Sequence, residues 1–187
     1  MEHYYQNIGE NWFSYQGLYT EMVKRYDNAK FVEIGCWRGR SACYLAVEIF
    51  NSNKNIQLYC VDTWAGSEEH KDMDVIKDNK LYDEFLGNIE PVKHIITPVR
   101  NASLEAVKSF EDNYFDFIFI DASHDYENVL ADLRAWYPKL KTGGYFAGHD
   151  YGNTWTGVNR AVDQWCQENN VRLEMSGHQS CWGLTKK

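Results

Sequence analysis

Phe31-Val32-Glu33-Ile34-Gly35-Cys36-Trp37-Arg38-Gly39-Arg40-Ser41 is the run that decides how this 187-residue chain is read. Phe31–Ile34 is a short strand, Gly35 opens a tight turn, and Ser41 starts an apolar helical run over Ala42–Phe50. Strand, glycine turn and helix in that order hold a nucleotide-like ligand beyond the strand ends of a doubly wound sheet. A pyrophosphate site needs Gly-x-Gly-x-x-Gly, whose middle glycine lets phosphates approach the backbone. Here Cys36, Trp37 and Arg38 fill the space between Gly35 and Gly39. Glu33, just before the turn, repels a phosphate and welcomes a cation or amine. The turn suits a nucleoside bearing positive charge; the plainer reading is an ordinary turn between two elements.

The rest of the chain alternates strand and helix. A leading helix is expected over Trp12–Tyr26, and strands over Lys30–Ile34, Ile56–Val61, Val92–Pro98, Phe115–Ile120 and Tyr145–Ala147. Helices are expected over Ala42–Phe50, Leu104–Phe110, Asp125–Tyr137 and Val158–Cys166, from apolar spacing near 3.6 residues. Val171–Met175 and Cys181–Leu184 read as a closing hairpin. There is no repeat, low-complexity tract or linker, so residues 1–187 form one α/β doubly wound domain. Within it, residues 1–29 are a leading helical segment and residues 65–90 an insert that is the candidate lid.

Asp62 ends the second strand, 27 residues past Gly35, where an acidic residue accepts hydrogen bonds from ribose hydroxyls. A solvated strand end explains it equally. Trp64 stacks on a base or covers the core. Ser103 caps a helix or meets an adenine edge.

The Phe115 and Tyr145 strands follow one another through a helix and are expected to lie side by side. Asp121, His149 and Asp150 then emerge at one rim. Two carboxylates and an imidazole on rigid strand ends can hold a divalent cation of the Mg²⁺ or Mn²⁺ type. His124 reaches the same space as a general base. The alternatives are helix caps for Asp121 and Asp150, a core histidine for His149 and a loop residue for His124.

Composition narrows the partners. Nineteen basic against 27 acidic residues give a net charge of −8, which disfavours duplex nucleic acid and an anionic membrane. No apolar run reaches spanning length, and Met1-Glu2-His3-Tyr4 lacks the features of a signal peptide. Cys36, Cys43, Cys60, Cys166 and Cys181 include no C-x-x-C pair, which fits reduced thiols in a cytoplasmic compartment.

FVEIGCWRGRS with Asp62, together with FDFIFIDASHDY and LKTGGYFAGHDY, resembles the class I S-adenosylmethionine-dependent methyltransferases over about Phe31–Val162. It most resembles their small metal-assisted O-methyltransferase branch, which includes catechol and antibiotic-sugar methyltransferases. The resemblance implies a Rossmann-like, mostly parallel seven-stranded sheet with its last strand antiparallel. It implies S-adenosyl-L-methionine as cofactor, with Glu33, Gly35, Gly39 and Ser41 near the methionine part, Asp62 on the ribose, Trp64 and Ser103 flanking the adenine, and Asp121 adjoining the cofactor. Asp121, His149 and Asp150 fall where that branch places its metal ligands, for a divalent cation such as magnesium or manganese, and His124 where the catechol enzymes carry a proton-removing lysine. His149 departs from the pattern, since the relatives usually have an acidic residue there. The implied substrate is a small-molecule hydroxyl acceptor, with homo-oligomerisation left open. The rival readings are a metal-independent methyltransferase and a module that binds an adenosyl or nicotinamide nucleotide without chemistry.

Overall fold

The computed structural model describes residues 1–67, 70–152, 154–174, 177–178 and 180–187. Its centre is β1 (Asn28–Ile34), flanked by β2 (Asn55–Asp62) and β4 (Phe115–Ile120), both parallel to it. β3 (Ile96–Arg100) extends the sheet beyond β2, and β5 (Leu140–Gly148) and β6 (Trp182–Thr185) extend it beyond β4. The order β3-β2-β1-β4-β5-β6 is parallel except for β6, which runs antiparallel to β5. The chain winds outward from β1 to β3, then restarts on the other side at β4. That reversal opens a crevice beyond the carboxyl ends of β1 and β4.

Helices cover both faces. α1 (Gln16–Arg25), α2 (Arg40–Ser52), α3 (Asp74–Lys77) and α4 (Leu81–Ile89) bury Phe31, Leu58, Cys60, Phe117 and Phe119 on one face. α5 (Ser103–Ala106), α6 (Tyr126–Trp136) and α7 (Thr156–Asn169) bury Val32, Ile34, Val61, Ile118 and Ile120 on the other. Successive β4 residues thus alternate between two cores, as a period of two requires of a strand covered on both sides. All five cysteines are free thiols. Among the described residues, no helix is long and apolar enough to cross a membrane.

Five expectations need correction. The described sheet has six strands rather than seven. Of the expected strand Val171–Met175, residues 171–174 form no ladder: Glu174 makes one backbone bond to Gly183 and turns its carboxylate onto Thr185. Met175, Ser176 and Gln179 lie outside the described residues. The third strand starts at Ile96, not Val92, because Glu90-Pro91-Val92 closes a 3₁₀ turn led by proline. β5 starts at Leu140 and carries the glycines expected in a turn, with a bulge opposite Phe115–Phe117 that absorbs the extra residues. Finally, α1 begins only at Gln16; Trp12 and Tyr15 lie in the segment before it and line the crevice, the first exposed and the second buried, and do not form a helical face.

Candidate functional site

The sheet bonds continue one residue past the strand ends. Gly35 N donates to Val61 O (2.9 Å), Asp121 N to Ile34 O (2.8 Å) and His149 N to Ile120 O (3.1 Å). Gly35, Asp121 and His149 are therefore held side by side as fixed tips of β1, β4 and β5. Gly35 has φ +88°, and a Cβ there would meet Asp121 O at 2.1 Å. Only glycine lets the β1 turn pass under Asp121. Beyond these tips lies a cavity of about 990 Å³, reaching from Asp150 and Trp155 at one end to Asn101 and Asp132 at the other. It is at the upper end of the usual size of small-molecule sites, about 300–1,000 Å³, and has room for two reactants.

Asp62 lines the cavity, and its carboxylate organises the turn. Oδ2 accepts from the backbone N–H of Cys36 (2.8 Å) and Trp37 (2.9 Å), and Oδ1 from that of Trp64 (2.8 Å). Trp37 and Trp64 both have left-handed backbones, φ +48° and +51°. A bulky residue rarely adopts that region, and the Asp62 bonds hold both there. The carboxylate keeps a lone-pair site for a ligand hydroxyl. The Trp37 ring lines the cavity and packs with Trp12 and His70, at centroid separations of 5.9 and 4.4 Å.

Two expected ligand neighbours point elsewhere. The Trp64 ring is 1 % exposed, packed on Tyr82 and Phe85, with Nε1 donating to Trp37 O (2.9 Å). It belongs to the core and does not face the cavity. Gly39 has φ +83°, and the space where its Cβ would lie is taken by the Phe85 ring at 2.9 Å, so it serves packing against α4.

Glu33 is also displaced from its expected place. It is fully buried, and its Oε1 accepts from the Ser41 hydroxyl. Burial pushes its pKa up to about 8, so the group is mainly neutral at pH 7. It offers no charge to a ligand; Ser41, which does line the cavity, stands between.

At the far end, Ser103 lines the cavity and belongs to a short relay. Trp136 Nε1 donates to Ser103 Oγ (2.8 Å), which donates to Asp132 Oδ1 (2.5 Å). Burial raises the Asp132 carboxyl to about 6. Asp132 was missed from sequence, although a carboxylate among Val129, Leu130, Leu133 and Trp136 on the inward face of α6 is a readable signal.

At the near end, Asp121, His149 and Asp150 each offer a ligand atom, all within 4.8 Å of one another. His149 Nδ1 lies 3.2 Å from Asp150 Oδ1 and 3.7 Å from Asp121 Oδ1, while its Nε2 lies 3.1 Å from Ser14 Oγ. His124 Nε2 lies 3.0 Å from Asp150 Oδ2, and its ring stacks on Trp155 at 3.9 Å. Tyr15 donates its hydroxyl to Asp121 Oδ2 (2.7 Å). Asp150 itself has φ +64°, a left-handed conformation that aims it back at His124.

The titrations follow from this crowding. Burial raises the Asp121 pKa, against the opposing pull of His149. Burial acts the same way on Asp150, but its bonds to His124 and His149 hold it well below the usual carboxylate range. Burial disfavours the His149 imidazolium, yet Asp150 and Asp121 raise its pKa on balance. Burial, with Asp121 and Glu33 nearby, raises the Tyr15 phenol far above its ordinary value, so it acts as a donor. Ser14 and Tyr15 were not expected here, because the segment before α1 carries no motif.

A β1 glycine turn, a carboxylate at the end of β2 and a crevice at the sheet's reversal define the nucleotide-type fold of the class I S-adenosylmethionine-dependent methyltransferases. Residues 32–151 match the family described as a methyltransferase domain, which is more than half of the chain. The chain belongs to that family. Its fold is similar to that of the O-methyltransferase NovP (15 % identity, 92 % of this chain and 79 % of that one, TM-score 0.72). It is also similar to the O-methyltransferase from Bacillus cereus in complex with SAH (19 %, 97 % and 86 %, TM-score 0.66) and to CalS11, a TDP-rhamnose 3′-O-methyltransferase (17 %, 91 % and 76 %, TM-score 0.60). Among curated proteins, y4gI of Sinorhizobium fredii is 26 % identical over 121 residues, 65 % of this chain and 13 % of that protein. R132 of Acanthamoeba polyphaga mimivirus is 29 % identical over 128 residues, 67 % of this chain and 52 % of that protein. The chain thus spans a small part of one curated relative and about half of the other.

Proposed function

We propose that this chain transfers the methyl group of S-adenosylmethionine to an oxygen of a small hydroxyl-bearing acceptor, with a divalent cation held by Asp121, His149 and Asp150. The observation that carries the proposal is that this donor triad, with its ligand atoms within 4.8 Å, shares one cavity with Asp62 and Ser103. The O-methyltransferases of similar fold support the choice of acceptor atom.

The cavity's shape suits the cofactor: the Gly35 turn and Ser41 border the methionine part, Asp62 takes a ribose hydroxyl, and Ser103 with Asp132 lies at the adenine end. The triad fits a divalent cation because two carboxylates and a nitrogen converge on one point that His149 otherwise neutralises. The sulfonium supplies an electrophilic methyl carbon, and the cation supplies Lewis acidity that makes an acceptor hydroxyl more acidic. This chain's residues do the rest. Asp121 and Asp150 would hold the cation beside the acceptor oxygen at the strand tips, and the His124 imidazole, oriented by its Nε2 bond to Asp150 Oδ2, takes the released proton. The oxygen bonds to the methyl carbon as the carbon–sulfur bond breaks, so alignment inside a sheltered cavity accounts for most of the acceleration.

The test is a methyl-transfer assay with S-adenosylmethionine and a panel of diols and phenols, with and without chelator. Loss of product in chelator, restored by added cation, is expected, as is loss of at least about a hundredfold in Asp150→Ala. One observation favours a second reading without metal: the imidazoles of His124 and His149 lie within ion-pairing distance of Asp150 and Asp121. Full turnover in chelator would establish that reading instead.

A further inference from the structure

We infer that His149 makes this a site for a first-row transition dication, Mn²⁺ through Co²⁺ and beyond, in preference to Mg²⁺; the inference rests on the cation reading above. Mg²⁺ takes oxygen ligands in a near-ideal octahedron and gains little from an imidazole. Imidazole nitrogen raises affinity along the series from Mn²⁺ to Co²⁺ and Ni²⁺. What matters is whether the ring turns a nitrogen toward the two carboxylates, and His149 Nδ1 does so, 3.2 Å from Asp150 Oδ1 and 3.7 Å from Asp121 Oδ1.

His149 N is pinned to Ile120 O at the tip of β5, and the ring packs beside Tyr15 with centroids 5.0 Å apart. Its two nitrogens have different surroundings. Nδ1 faces Asp150 Oδ1 and Asp121 Oδ1, and Nε2 faces Ser14 Oγ at 3.1 Å. A serine hydroxyl accepts a proton as readily as it gives one. With Nε2–H donating to Ser14, Nδ1 is left as a lone pair aimed between the carboxylates, the way an outer partner fixes the tautomer of a metal-binding histidine. Tyr15 plays the same outer part for Asp121, donating to Oδ2 and leaving Oδ1 on the Nδ1 side. The two outer donors and acceptors come from adjacent residues of one segment.

The test measures binding, not turnover. Isothermal titration of the full chain with Mg²⁺, Mn²⁺ and Co²⁺, and electron paramagnetic resonance of Mn²⁺, give the affinity ratios directly. The wild type is expected to bind Mn²⁺ about tenfold tighter than Mg²⁺, and Co²⁺ tighter still. His149→Asp should bring the Mn²⁺ to Mg²⁺ ratio close to one. Ser14→Ala, which changes no strand, should weaken Co²⁺ roughly tenfold and Mg²⁺ much less. Equal wild-type affinities for Mg²⁺ and Mn²⁺, or an unchanged ratio in both variants, overturn the inference while leaving a cation site. Binding of no dication by the wild type overturns the cation reading itself, and the inference with it.

Discussion

A carbonyl oxygen 2.1 Å from where a Cβ would sit leaves no choice of residue at 35. Gly35→Ala should cost about 3–5 kcal/mol, combining left-handed strain with a backbone clash. Urea unfolding checks it, and the loss should exceed that of any surface substitution. Glu33 gives a pH signature of the opposite kind to most carboxylates. Its folded pKa, about 8, lies above the unfolded value near 4.5. The stabilisation is therefore complete below pH 4.5 and is lost as pH rises through 8. The melting temperature should fall over that window in the wild type and much less in Glu33→Gln; equal slopes would remove Glu33 as the cause. These residues also show what a sequence can disclose. Gly35, Asp62 and the acidic strand ends were legible because each sits at a fixed offset from an apolar run. Trp64 was not, because a tryptophan after a strand reads the same whether its ring faces ligand or core. Glu33 was placed on the correct strand, but its side of that strand depended on a register that only pairing with β2 and β4 sets.

The segment before α1 is the element with most influence on the site for its length. Arg40 on α2 holds it, with Nη1 donating to Ile8 O (2.9 Å) and Gly9 O (3.3 Å) and Nη2 to Asn11 Oδ1 (2.8 Å). Arg38 adds an ion pair to Glu10. Arg40→Ala should therefore loosen residues 6–15 without melting the sheet. Hydrogen exchange of those amides should quicken by about tenfold, equivalent to about 1.4 kcal/mol, with core amides unchanged. The same rate throughout would show that the segment is held by its aromatic packing alone. This element was the least legible: its apolar residues Trp12, Phe13 and Tyr15 have no single period, because they close a cavity rather than seat a helix. Outside the insert over residues 65–90, the order of helices and strands over residues 28–169 was legible, since each is buried on a regular face. The boundaries that moved did so at Pro91 and at Gly143–Gly144, where local turn chemistry and sheet pairing compete.

The whole molecule is a sheet with its ligand crevice at one edge of the strand plane, so occupancy should be felt throughout. S-adenosylhomocysteine at a hundred times its dissociation constant should stabilise the native state by about 2.7 kcal/mol. Thermal melts with and without it check this, and NAD at the same excess should leave the transition where it was. A shift by NAD alone would reassign the crevice. The convergence of Asp121, His149 and Asp150 was legible at this scale because β4 and β5 are consecutive and consecutive parallel strands tend to pair. The contributions of Ser14 and Tyr15 were hidden because their partners lie 135 and 106 residues further along the chain.

Those two long-range bonds govern when the reactive corner can come into being. On the ribosome, Tyr15 must wait for Asp121 and Ser14 for His149, each more than a hundred residues further along. A folding nascent chain can assemble β1 to β3 early, but this corner must arrive late, as a docking of residues 14 and 15 onto strand tips made long after them.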